Sequence, residues 1–140
     1  MADDCTFCAI AAGEHAATFV YEDDDALAFL DHRPLFHGHV LLIPRDHHET
    51  LADLPSDRVG PLFTLARRLS IAVRDGLQAE GTFVAINNRV SQSVPHLHIH
   101  VVPRTKGDGL RGFFWPRTKY GADEIEAVAR LIREEIAAAP

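Results

Sequence analysis

The 140-residue chain reads as an α+β protein. It is expected to hold a central antiparallel sheet of about five strands, one central helix and a C-terminal helix. Three observations predict this. Short apolar runs of strand length lie on both sides of one long stretch with helical periodicity. Acidic, glycine- or proline-containing turns separate the short runs. A second helical stripe closes the chain. With no internal repeat, low-complexity tract or linker, residues 1–140 are expected to form a single domain, and 46% hydrophobic residues suffice for a core without a staple.

The elements follow in order. Cys5 to Gly13 is a short helix, with Gly13 as its stop. Phe19–Glu22 and Ala26–Leu30 are strands joined by the acidic turn Asp23-Asp24-Asp25, and residues 31–38 form a loop containing Pro34. His39–Ile43 is a buried strand stopped by Pro44. Asp53-Leu54-Pro55-Ser56 signals a helix start. The spacing of Val59, Leu62, Phe63, Ala66, Leu69, Val73 and Leu77 predicts an amphipathic helix, or two pieces with Pro61 in a first turn. Thr82–Ile86 is a strand, residues 87–95 a polar loop, and Leu97–Val102 a strand with Pro103 at its end. Ala122–Ala138 is the terminal helix, with a stripe of Ile125, Val128, Leu131, Ile132 and Ile136.

Twenty acidic residues against fourteen lysines and arginines give a net charge of -6, which argues against binding a nucleic-acid polymer. It leaves open the binding of a single nucleotide, because local donors hold a phosphate inside an acidic protein. The amino terminus lacks a basic segment leading into an apolar run, and no stretch is long enough for a membrane span. A cytoplasmic protein is expected, where Cys5 and Cys8 serve as metal ligands or free thiols rather than a disulfide.

His96, His98 and His100 alternate with Leu97 and Ile99. Side chains on a strand repeat with period two, so the three imidazoles share one face, spaced roughly 6.6 Å apart. Histidine is the side chain whose ordinary pKa of about 6.5 suits it as a nucleophile or base near neutrality. Three on one face suit a substrate phosphate, with one imidazole left for a metal. Two thiols in Cys5-x-x-Cys8 with two imidazoles would complete a closed, four-coordinate structural zinc site, the candidate imidazoles being His47, His48 and His96.

The run His96-Leu97-His98-Ile99-His100-Val101-Val102 resembles in full the His-φ-His-φ-His-φ-φ signature of the histidine triad (HIT) superfamily. The resemblance extends over roughly residues 5 to 104 and includes Ala28-Phe29-Leu30-Asp31, Gly38-His39-Val40-Leu41-Leu42-Ile43-Pro44 and Gln92-Ser93-Val94. It implies that His98 is a nucleophile that attacks the α-phosphorus of a nucleotide, and that water then hydrolyses the nucleotidyl-histidine to release a nucleoside monophosphate. It further implies that His100 bonds phosphate oxygens, Gln92 and Ser93 contact the phosphates or leaving group, and Asn87 positions the nucleotide. Asp31 would face the ribose, with Phe29 and Leu30 near the base. For the metal, the resemblance points to Cys5, Cys8, His47 and His96, holding Zn2+ in a structural role as in some bacterial members. It also implies a homodimer.

One segment departs from the family. Asn87-Asn88-Arg89-Val90-Ser91-Gln92 is short and lacks the glycines many members carry there, which leaves Asn87 and Asn88 as alternatives and puts Arg89 within reach of a phosphate. Residues 107–120 are aromatic and basic. Trp115 would lie over a base or close a neighbouring site, or serve as interface packing, and Arg104, Lys106, Arg111, Arg117 and Lys119 suit a polyphosphate. The expected activity is hydrolysis of dinucleoside polyphosphates. Nucleoside phosphoramidate hydrolysis and non-catalytic nucleotide binding are the alternatives.

Overall fold

A computed structural model describes residues 4–110 and 118–138, so Trp115, Arg111 and Arg117 lie outside the described residues. The chain falls into two compact units, Met1–Asp108 and Gly109–Pro140. The first contains α1 (Thr6–Ala11), β1 (Phe19–Glu22), β2 (Ala26–Leu30), β3 (Val40–Pro44), α2 (Ser56–Gly76), β4 (Gly81–Ala85) and β5 (Ile99–Arg104). The second contains α3 (Glu124–Ala138).

The five strands form one sheet in the order β1-β2-β3-β5-β4, and every neighbouring pair is antiparallel. The expected α+β architecture is therefore present. Because β3 and β4 each run antiparallel to β5 between them, they point the same way, and α2 is the crossover that joins them. Period-two alternation decides which side chains meet which helix. Ala26, Ala28, Val40, Leu42, Ile99 and Val101 pack against Leu62, Leu65, Ala66, Leu69 and Val73 of α2. On the other face Leu27, Phe29, Leu41 and Ile43 pack against Phe7 and Ile10 of α1. Leu41 pairs with His100, so the histidines share the α1 face.

The elements differ from the sequence reading at four instructive places. Pro44 does not stop β3 but ends it in register with Ala26, because a terminal strand position does not need the N–H that proline lacks. Pro103 likewise lies within β5, opposite Thr82. The β5 ladder starts at Ile99 rather than Leu97, since the Leu97 N–H is committed to the His48 carbonyl at 2.7 Å. His96 and His98 therefore precede the ladder while keeping its alternation. Pro61 sits inside one continuous α2, past its first turn. In the second unit, the expected apolar stripe of α3 is exposed, from 38% at Val128 to 72% at Ile136. Among the described residues no helix is long and apolar enough to cross a membrane.

Candidate active site and metal centre

Each of the three histidines of the alternating run has one ring nitrogen fixed, His96 and His98 by backbone carbonyls and His100 by a side chain. His98 Nδ1 donates to the His96 carbonyl at 2.8 Å, so its Nε2 carries the free lone pair. His96 Nε2 donates to the Pro44 carbonyl at 2.8 Å, which leaves Nδ1 as an electron-pair donor towards the cysteines. His100 is fixed through a residue that sequence reasoning did not single out. The Leu35 N–H donates to His39 Nδ1 at 3.1 Å, so a neutral His39 must carry its proton on Nε2. That proton points at His100 Nδ1, 2.9 Å away. His100 must then hold its own proton on Nε2, an atom that is buried and has no hydrogen-bond partner among the described residues. The chain Leu35–His39–His100 thus ends in an N–H donor available to a ligand.

Burial favours the neutral form of all these rings. It pushes His96 and His100 down to about 4, His100 being held down further by the neighbouring His98 and His39, and it lowers His98 and His39 below the usual histidine value. At neutral pH His98 is therefore unprotonated at Nε2, as a nucleophile requires.

A cavity of about 800 Å³ opens onto His98 and His100. Of the residues expected to contact a substrate, Phe29, Leu30, Asp31, Ser93, His98 and His100 line it. Asn87 and Gln92 do not. The Gln92 amide is taken up within the chain, accepting from Arg89 N–H at 2.7 Å and donating to the Glu49 carbonyl at 2.6 Å. Asn88 Oδ1 accepts from Leu51 N–H at 2.9 Å. These bonds shape a turn in which Arg89 and Ser91 take positive φ values of 70° and 61°, the turn chemistry that replaces glycines. The far wall comes from α1 and the chain after it, through Thr6, Phe7, Ile10, His15 and Thr18, which sequence reasoning did not assign. Among the described residues no lysine or arginine lines the cavity. Arg104 instead forms a two-point ion pair with Asp108, at 2.6 and 3.0 Å.

Behind the run, Cys5, Cys8, His47 and His96 bring one ligand atom each within 4.8 Å of one another. Sulfur–nitrogen separations are 3.3 Å for Cys5–His96, 3.2 Å for Cys8–His47 and 3.5 Å for Cys8–His96. A tetrahedral zinc with bonds of about 2.3 Å to sulfur and 2.0–2.1 Å to nitrogen needs sulfur–nitrogen edges of about 3.5 Å, so the residues fit the ion. The chemistry agrees. Burial and the adjacent Cys5 push the Cys8 thiol up to about 11, the opposite of a reactive redox pair, and a thiolate there calls for a metal. His48 is not in this cluster; its buried Nε2 has no hydrogen-bond partner among the described residues. Asp31, His39 and His100 are also close enough to suggest a metal. They do not suit one, because the backbone donor on His39 Nδ1 obliges the facing Nε2 to keep its proton.

A sheet of this order that lines up alternating histidines beneath a cavity defines the histidine triad class. The chain belongs to the HIT family, whose HIT domain pattern matches residues 12–107. This superfamily contains nucleotide-binding and hydrolytic proteins. The chain is 38% identical over 138 residues to an uncharacterized HIT-like protein of Mycobacterium tuberculosis, covering 95% of this chain and 93% of that one. It is 36% identical over 110 residues to the adenylylsulfatase HINT3 of Arabidopsis thaliana, covering 77% of this chain and 56% of that protein. The crystal structure of a zinc-bound histidine triad protein from Mycobacterium smegmatis is similar over the full length of both chains, with a TM-score of 0.74 and 36% identity.

Proposed function

We propose that this protein hydrolyses nucleotides at the α-phosphate through a nucleotidyl-His98 intermediate. The observation that carries this reading is the fixed state of two rings: an imidazole with a free Nε2 lone pair at His98, beside an N–H at His100 that has no partner among the described residues. The His98 Nε2–phosphorus bond forms as the bond from phosphorus to the leaving group breaks, and the leaving group departs with that electron pair. The His96 carbonyl holds the Nδ1 proton and stabilises the cationic ring. His100 Nε2–H donates to the phosphate oxygen where negative charge develops. Ser93 Oγ serves the leaving group as a donor. Water then attacks phosphorus, the nitrogen–phosphorus bond breaks, and a nucleoside monophosphate leaves. Asp31 faces the ribose, and Phe29 and Leu30 flank the base.

Dinucleoside polyphosphates are one substrate class for this chemistry. A specific observation favours a second: the described residues that line the cavity include no lysine or arginine, which suits a leaving group with little added charge, such as an amine, or one as small as sulfate. The adenylylsulfatase relative points the same way. Product analysis across adenosine and guanosine polyphosphates, phosphoramidates and adenylyl sulfate tests the reading. Release of nucleoside monophosphate is expected, with label from the α-phosphate trapped on His98 and no turnover by His98→Ala. Label on His96 or His100, or full activity in His98→Ala, overturns it.

Cys5, Cys8, His47 and His96 would hold one structural zinc, whose four positions are all filled by protein. The ion would tie α1 to the histidine run and keep His96 Nδ1 engaged. The protein would act as a homodimer through the exposed apolar surface that Val84 of β4 forms with Phe63 and Ile71 of α2.

A further inference from the structure

The short helix α1 does more than bring two cysteines together. Phe7 lies between Cys5 and Cys8, and its ring stands edge-on to His98, with centroids 5.1 Å apart and planes at 87°. The same ring meets His96 at 5.9 Å and 74°, and Phe29 at 5.5 Å and 71°. Phe7 is 6% exposed, so these contacts are part of the packed interior as well as of the cavity wall. The His98 ring is therefore held three ways: in its plane by the bond from Nδ1 to the His96 carbonyl, and against the rings of Phe7 and of His100, whose centroid is 4.9 Å away. A hydrogen bond fixes where Nδ1 points but leaves the ring free to rock about that direction. The flanking rings remove this freedom.

We propose that Phe7 is a positioning residue for His98, and that the Cys5/Cys8 pair, by anchoring α1, sets the orientation of the His98 ring. A six-residue helix is too short to persist on its own and depends on tertiary anchors. Those of α1 are the cysteine–histidine cluster, the burial of Phe7 and Ile10, and a weak bond from Arg45 to the Ala11 carbonyl at 3.4 Å. Anchoring the two residues that bracket Phe7 leaves its ring little freedom to move away from His98. The inference rests on the reading of His98 as nucleophile for its kinetic consequence, though not for its structural one.

The test compares Phe7→Leu with Ile10→Ala, a truncation in the same helix at a residue that is equally buried and lines the same cavity. Both proteins are prepared with zinc and checked for one equivalent per chain. Two readouts are taken: kcat and KM for adenosine 5′-phosphoramidate, and the NMR signal of the His98 Nδ1 proton, which its hydrogen bond protects from exchange with water. Phe7→Leu is expected to lose about 10²-fold in kcat, the scale on which misplacing a reacting group acts, with KM changed far less. Its Nδ1 proton signal should broaden or vanish. Ile10→Ala should keep that signal. Equal effects of the two variants on the signal, or a Phe7→Leu signal like the wild type's, overturn the proposal. If the wild-type protein turns over no nucleotide at all, the functional reading fails, while the His98 signal still decides the role of Phe7. Should Phe7→Leu not fold, the same signal is followed in the wild type as zinc is titrated out. Its persistence at full height in metal-free, folded protein is then the overturning result.

Discussion

Replacing His39 separates the two jobs its ring performs. Nδ1 accepts the Leu35 N–H at 3.1 Å, and Nε2 donates to His100 at 2.9 Å. An asparagine places its carbonyl oxygen near the Nδ1 position and nothing near Nε2. A glutamine reaches the Nε2 position with an N–H and loses the Leu35 contact. His39→Asn therefore leaves His100 Nδ1 without its donor in a site where His39 is 3% exposed. A buried group left unsatisfied costs about 1–3 kcal/mol, so His39→Asn should lower unfolding stability by that amount. His100 then recovers a partner most easily by moving its proton or rotating, and the Nε2–H donor to the phosphate is lost. Loss of one directed donor at a developing negative charge costs roughly 10²–10³ in kcat. His39→Gln should keep the His100 proton in place and remain within about tenfold of wild type, on the premise that one uncharged contact is worth about 1 kcal/mol. Steady-state kinetics on a nucleoside phosphoramidate and thermal denaturation of both variants are the assays. The reasoning is refuted if His39→Asn turns over at the wild-type rate, or if His39→Gln is as impaired as His39→Asn.

Elemental analysis of purified protein should find one zinc per chain, and Cys8→Ser should lose it with a marked fall in melting temperature; retention of stoichiometric zinc by Cys8→Ser would contradict the ligand set. Acid should destabilise the fold through the His39–His100 pair: both rings have folded pKa values below the ordinary 6.5, with His100 at about 4, so the unfolded chain binds more protons in that window and stability falls as pH drops from about 6.5 towards 4. Denaturant titrations across this range should show the decline flattened in His39→Gln, and an unchanged slope would count against the pair. Val84→Lys puts a charge in the exposed apolar surface of Val84, Phe63 and Ile71 and should shift sedimentation from a dimer to a 15.5 kDa monomer at micromolar concentration; a wild-type protein that already sediments as a monomer refutes the dimer.

Much of this protein was legible without coordinates. The alternation of His96, His98 and His100 with Leu97 and Ile99 placed three imidazoles on one face, because side-chain direction along extended chain depends only on position parity. The apolar periodicity from Val59 onwards located α2, and the signature placed the chain beside the HIT superfamily. Cys5-x-x-Cys8 offered a candidate ligand pair, and the resemblance pointed to His47 and His96 as its partners; residue spacing by itself left His48 open as well, because tertiary packing decides which imidazoles reach the thiols. His39 shows what could not be read. By parity it shares a face with Leu41, yet its meeting with His100 depends on which strand lies beside β3 and in what register, and the Leu41–His100 pairing supplies that. Gln92 and Asn88 had the right chemistry for a phosphate, but folding engaged both with the backbone of residues 49–51. The basic residues counted towards a polyphosphate differed in the same way: Arg104 was claimed by Asp108, four residues on. Sequence determined which groups could do chemistry, because that is a property of each side chain and its local spacing. Tertiary structure alone decided which of them keep a free lone pair or proton, because that depends on neighbours distant along the chain.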